Sequence, residues 1–430
     1  MTRFTEILRV ASLGAVSIVA TIVTTLLVLR APGLVLPLIG GAAIVVLAVA
    51  APHWLIAAVS VGALAGGSTY AGVAGTSYTA LLAGGLAAAV ALLAFGPLRS
   101  DIRGVALPIA ILGLLSLRLV AAQDFGSLPV LFRCLAMIML VVYAFVKRSD
   151  IVKAMAVGGV VFAVMSMVIG ELAPSTGRLM GFSGNPNRMT FGLLILAPFV
   201  LAYAWRHPGA VRRVVAIAFV AYCGYLIIES GSSQGIVGLA VLGVSSFAYL
   251  WSSKSVATQW VLWIVAGMVV AAVLFAVDAR AFSGDEDIAT LSGRTEIFAA
   301  ALQEFVANPI TGTGQRVVSV GDVLDRSAHS STLGLLATGG LLIGLPWLVL
   351  LVLLIRAGVR LVRRRNMVGA AALMLVVEQS VQTVELVPLT WMVISYVLLL
   401  DGNPLLGDRN RAIGGWVDAG RVNRVSRGSM

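Results

Sequence analysis

Of the 430 residues, 59% are hydrophobic and only 11% charged, and the mean hydropathy is +1.00. A soluble domain of this length is excluded, because apolar runs near the ~20 residues that cross a bilayer recur from end to end. The formal net charge of +11 does not point to nucleic acid, since most basic residues fall in short loops between apolar runs, where they orient a membrane protein.

The runs predict an all-α polytopic integral membrane protein of about twelve to fourteen transmembrane helices. In chain order they fall near 10–29, 34–51, 53–67, 78–96, 104–122, 128–146, 151–172, 189–205, 212–229, 234–251, 258–277, 330–355, 367–386 and 388–400. The first is long for a secretory h-region and has no convincing small-x-small cleavage site, so it reads as an uncleaved span. Cys134 and Cys223 lie inside apolar runs and read as packing thiols, with neither a disulfide nor a metal-site spacing. Arg99/Arg103, Lys147/Arg148/Lys153, Arg206/Arg212/Arg213, Lys254 and Arg356–Arg365 mark one side, which the positive-inside rule makes cytoplasmic together with both termini.

This parity divides the chain into an N-terminal bundle at 1–277, an extracytoplasmic loop at 278–329, C-terminal transmembrane helices at 330–400 and a cytoplasmic Arg-rich tail at 401–430. Segments 174–188 and 230–233 face outward with the long loop. Long loops in compact proteins tend to be functional. Inside this one, TEIFAAALQEFVANP reads as a short amphipathic helix. Ile297, Phe298, Ala301, Leu302 and Phe305 share one face, Asn308-Pro309 ends it, and the pattern suits the membrane interface. No internal repeat and no Gly/Pro-broken helix pair is evident, which weighs against a transporter.

The outward segments hold the residue types that can do chemistry. His53 and His207 fall on the cytoplasmic side, so His329 is the one outward imidazole. It is expected in the first turn of a helix capped by Ser327 or a neighbour. There the helix N-terminus would keep it neutral and able to act as a general base, or it is simply a polar residue hydrogen-bonded to its own loop. Arg294 opens the loop helix and would grip phosphate with paired hydrogen bonds, or pair with Glu296 or the Asp285–Asp287 cluster. The GDED run at 284–287 reads as solvated rather than as a metal site. In GRLMGFSGNPNRMTF (177–191), Asn185 as N-cap and Pro186 at the first helical position are helix punctuation, which leaves Arg178 and Arg188 unexplained. ESGSSQG is a tight polar turn whose Gln234 opens the next span. Glu378, Gln382 and Glu385 form a polar stripe that is either paired, to Arg118 or Arg133, or functional.

Taken in order, these segments resemble the O-antigen ligase and O-antigen polymerase family of bacterial envelope glycosyltransferases. RLMGFSGNPNRMTF looks like the family's Arg-x-x-Gly…Asn-Pro-Asn turn, and ESGSSQG like its small-polar turn. SGRTEIF…NPITGTG looks like its Gly-Arg helix with the following Pro…Gly-x-Gly, and AHSSTLGLLATGGLLIG like its His-led helix. The resemblance spans residues 178–346. It implies a GT-C-like helical membrane fold and transfer of a glycan from polyprenyl diphosphate to an acceptor hydroxyl, as in cell-envelope polysaccharide biosynthesis. It also implies His329 as base and Arg294 and Arg178 as diphosphate ligands. The sequence departs from the pattern at Gln234, where arginine is usual, at Phe298 for Trp and at Ser330 for Asn. Arg188, Arg326 or Arg316 are candidates to compensate for the first, with Glu378 and Glu385 as supporting acids. A glycosyl diphosphate is already activated, so one base and a few arginines suffice without a metal or cofactor, and in-line attack inverts the anomeric centre. The partners so implied are a lipid-linked glycan donor, an envelope glycan or glycolipid acceptor and membrane lipids, at the inner membrane.

Overall fold

A computed structural model describes residues 35–65, 67–95, 104–168, 170–172, 177–207, 209–251, 287–314, 318–319, 325–326, 330–381 and 387–402. The expected spans 10–29 and 258–277, His329, Arg316, Gln382, Glu385 and the tail from 403 lie outside the described residues.

The described chain is helical, as it must be if its backbone polar groups are to be satisfied within each segment in lipid. In order the helices are α1 (Val35–Ala50), α2 (Pro52–Leu64), α3 (Gly67–Phe95), α4 (Ala106–Ala121), α5 (Leu128–Val146) and α6 (Ile151–Val168). There follow α7 (Pro186–Arg206), α8 (Ala210–Glu229), α9 (Ser233–Trp251), α10 (Asp287–Ala307), α11 (Ser331–Arg363), α12 (Val368–Val381) and α13 (Pro388–Gly402). Two short antiparallel pairs interrupt them: β1 (Glu171–Leu172) with β2 (Leu179–Gly181), and β3 (Val318–Ser319) with β4 (Asp325–Arg326). Six helices among the described residues are long and apolar enough to cross a membrane, namely α3, α5, α6, α7, α8 and α11, and shorter apolar helices lie at the predicted spans 53–67, 104–122, 234–251, 367–386 and 388–400. The chain is thus a polytopic all-α membrane protein.

α7 is the hub. Apolar on every side, it is buried from Met189 to Ala202 and packs against α6, α8, α9 and α12. Small residues let helices approach closely where lipid offers no hydrophobic drive between them. Gly159 of α6 faces Leu196, and Gly358 of α11 lies where a methyl would come within 2.9 Å of the Gly369 carbonyl. α13 is buried along its length beside α5 and α11.

The two ends of the bundle differ in chemistry. At one end Arg206 pairs with Asp150 at 3.8 Å, Arg360 with Asp401 at 2.6 Å, and Lys153 lies over the Trp54 ring. His53 and His207 are both at this end, next to Trp54 and Tyr203 respectively. Among the described residues, His53, Lys153, Arg206, His207 and Arg360, all expected on the cytoplasmic side, therefore share one end. The opposite end gathers the 177–191 segment, the 230–235 turn and the start of α11.

Candidate functional site

At that opposite end the two sequence-predicted turns form one unit. Asn185 caps α7 as expected: its Oδ1 accepts from the N–H of Asn187 at 2.9 Å and of Arg188 at 3.1 Å, with Pro186 in the first turn. Asn187 then reaches sideways, its Oδ1 accepting from the Ser232 hydroxyl at 2.9 Å, while Thr190 donates to the Asn187 carbonyl. Arg178, just before β2, donates from Nε to the Ser230 carbonyl at 2.8 Å and from Nη2 to the Gly231 carbonyl at 3.0 Å. Segments more than forty residues apart are thereby tied by charge-assisted and neutral hydrogen bonds. Arg178 thus has an observed structural task. Arg188 is half-buried at the third position of α7, and its guanidinium has no hydrogen bond or ion pair among the described residues.

Gln234 is buried at the start of α9. One turn further, Gly238 lies so close to α12 that a Cβ there would be 2.9 Å from Oε1 of Glu378. Glu378 is 1% exposed, and neither of its carboxylate oxygens has a hydrogen bond among the described residues. The expected partners are engaged elsewhere. Arg118 donates from Nη2 to the Gly312 carbonyl at 2.6 Å, and Arg133 lies over the Tyr78 ring at 4.1 Å. The pairing alternative for Glu378 is thus corrected: Arg118 is held by a backbone carbonyl and Arg133 by an aromatic ring, and neither bonds the carboxylate.

The helix that follows His329 in the chain is not one continuous helix. Gly340 has φ 56° and ψ −154°, a conformation open essentially only to glycine, and α11 breaks there. The break would orphan carbonyls before it and N–H groups after it, in surroundings without water to satisfy them. The segment after α10 supplies what is missing. Thr313 N–H donates to the Ala337 carbonyl and Gly314 N–H to that of Thr338, both at 2.8 Å. In the other direction Leu341 N–H donates to the Pro309 carbonyl at 2.8 Å, and Leu342 N–H to that of Ile310 at 3.0 Å. Gly312 (φ 65°) lies so close that a side chain would overlap the Thr338–Gly339 peptide. The Pro…Gly-x-Gly segment is therefore a backbone splice into a broken helix. The sequence reading looked for a Gly/Pro-broken helix pair and missed this single break, for which Gly339-Gly340 in an apolar run was the available signal.

Two further expectations shift. α10 begins at Asp287 rather than at Thr295, so Arg294 lies in the helix interior and not at its N-terminus. Its packing face is also narrower: Ile297 and Ala301 are buried, Ala301 against Ala337 of α11, while Leu302 is 52% exposed. Of the cap candidates, Ser327 or a neighbour, it is Ser330 that caps α11, accepting from Leu333 N–H at 3.4 Å. Ser330 immediately follows His329 in the chain. One residue that sequence reasoning missed lies in the first turn of α11. Thr332 donates to Gln379 Oε1 at 2.6 Å and accepts from Trp347 Nε1 at 3.2 Å. Arg326 is carried by β4, opposite Val318.

A many-helix membrane bundle with a spliced, serine-capped helix and a polar turn cluster at one end is the class this fold and site define. Residues 217–348 match the family model described as O-antigen ligase, which supports the resemblance read from the motifs. The matched stretch takes in Gln234, Arg294, Arg326 and His329, whereas Arg178, Arg188, Glu378 and Glu385 lie outside it. A search of curated proteins returns no match.

Proposed function

We propose that the protein is a glycosyltransferase of the O-antigen ligase type. It moves a polyprenyl-diphosphate-linked glycan onto an acceptor hydroxyl at the outer face of the cytoplasmic membrane, with both termini inside. The observation that carries this reading is the placement of the family match. It covers the splice, the capped start of α11 and Gln234, and the structure ties that stretch to the Arg178–Arg188 segment through Ser230, Gly231 and Ser232. His329 takes the acceptor proton. Arg188, Arg294 and Arg326 neutralise the departing diphosphate, with Gln234 contributing an uncharged hydrogen bond and Glu378 and Glu385 as supporting acids. Arg178 serves the diphosphate chiefly through the turn it clamps. Charge stabilisation of the leaving group is the larger share of such catalysis, and the base adds to it. The same site serves a polymerase if the acceptor is another lipid-linked repeat.

The test is release of free polyprenyl diphosphate by purified protein given lipid-linked glycan extracted from the source cell's own membranes. His329→Ala should lower turnover by ~10²–10⁴-fold, the usual worth of a general base. Turnover unchanged by that substitution refutes the assignment of His329.

One observation favours a second reading. Broken helices are a hallmark of transporters, and α11 is broken at Gly340. A non-catalytic carrier of the same lipid-linked glycan would flip it in proteoliposomes without releasing polyprenyl diphosphate, and His329→Ala would leave flipping intact.

A further inference from the structure

The break at Gly340 leaves residues 331–339 as a helix too short to be stable alone. The splice holds its C-terminal end, at the pivot itself. Thr332 is eight residues away, about 12 Å along the axis at 1.5 Å per residue. Tilting such an arm by about 5° moves its tip by about 1 Å. Something other than the splice must therefore set the angle at which the helix mouth is held.

We propose that Thr332, Gln379 and Trp347 are positioning residues that fix this angle and so hold the Ser330-capped helix mouth; the catalytic part of the inference, with His329 one residue before that mouth in the chain, rests on the function proposed above. The bonds span the hinge. Trp347 belongs to the far side of the break, is 1% exposed and packs edge-on against Trp391 at 6.2 Å, so its N–H is a fixed reference. Gln379 belongs to α12, and its Nε2 donates to the Val376 carbonyl and the Ser380 hydroxyl, both at 3.0 Å. That assigns its amide orientation and turns Oε1 toward Thr332. The Thr332 hydroxyl has one proton, which goes to Gln379, and accepts the Trp347 proton on a lone pair. One hydroxyl thus joins three helical pieces: the short helix, the span beyond the break and α12. Valine has the same shape and can make neither bond; serine can make both.

The experiment uses the full chain in nanodiscs, with two readouts: hydrogen exchange over 331–339, and kcat and KM for polyprenyl diphosphate release from lipid-linked glycan of the source cell's membranes. Thr332→Val should quicken exchange in this segment. It should also lower kcat by ~10–100-fold with KM within about twofold, the scale of a 1 Å misplacement. Thr332→Ser should restore both. Trp347→Phe, which removes the N–H donor and keeps an aromatic ring, should move both readouts the same way if Thr332→Val does not fold. Exchange unchanged in Thr332→Val overturns the inference. Faster exchange with unchanged kcat reduces the cluster to a structural support and overturns the positioning role. A wild-type protein without turnover defeats the proposed function instead, and the exchange readout then decides the mechanical claim by itself.

Discussion

Replacing Gly340 by alanine tests the splice most directly. At φ 56°, ψ −154° an alanine is strained by ~1–3 kcal/mol. Its Cβ would also press on the Ile310 carbonyl group and come within 2.7 Å of the Gly312 nitrogen, both of them backbone that cannot turn aside as a side chain can. Relief requires the 309–314 segment to withdraw, which puts at risk four backbone hydrogen bonds worth ~0.5–1.5 kcal/mol each. Losing two of the four alongside the strain gives a destabilisation of about 2–6 kcal/mol. The assay is hydrogen exchange at Thr313, Gly314, Leu341 and Leu342 in nanodiscs, read beside a thermal melt. Protection of the first two should fall sharply, since in a straightened α11 their acceptors would be taken by Leu341 and Leu342. Unchanged protection at Thr313 and Gly314, with a melt shifted by less than the equivalent of ~0.5 kcal/mol, would refute the account of the break.

Two other expectations follow from the polar end of the bundle. Arg178→Lys keeps the charge but loses the two-donor geometry toward Ser230 and Gly231, so it should cost about 1–2 kcal/mol and raise exchange in the 230–235 turn; wild-type exchange there would remove the clamp from the argument. Gln234→Arg should be tolerated, because Glu378 lies about one turn below position 234. In a Glu378→Gln background the same arginine should cost about 3–5 kcal/mol more, and a thermal melt on the double variant decides this, equal melts refuting the proximity.

What the sequence makes legible here is what transfer free energy and local capping chemistry encode. Apolar runs mark helices, the basic loops share one end, and Asn185-Pro186 opens α7 as read. The break at Gly340 was hidden because hydropathy registers two glycines in an apolar run only as small residues; it carries no information on a backbone torsion. The bond from Arg118 to Gly312 joins positions 194 apart in the chain and has no local signature. Arg118 and Arg133 looked like counter-ions for Glu378 because charge alone was visible. The carbonyl and the aromatic ring that engage them became apparent only with the packing. The start of α10 was misjudged for a related reason. The sequence there is polar, and the helix extends through it to Asp287 without an apolar period to announce it.

The splice also bears on how this protein can be recombined with its relatives. An outer loop is usually the easiest part to exchange, since it hangs from the scaffold by its ends alone. Here residues 309–314 complete the backbone of the helix broken at Gly340, so a loop graft that stops short of Leu342 would carry away the partners of Ala337 and Thr338. The smallest exchangeable cassette therefore runs from the end of α10 past the break, and crossover points inside it should yield chimeras that insert in the membrane yet leave that helix unfinished.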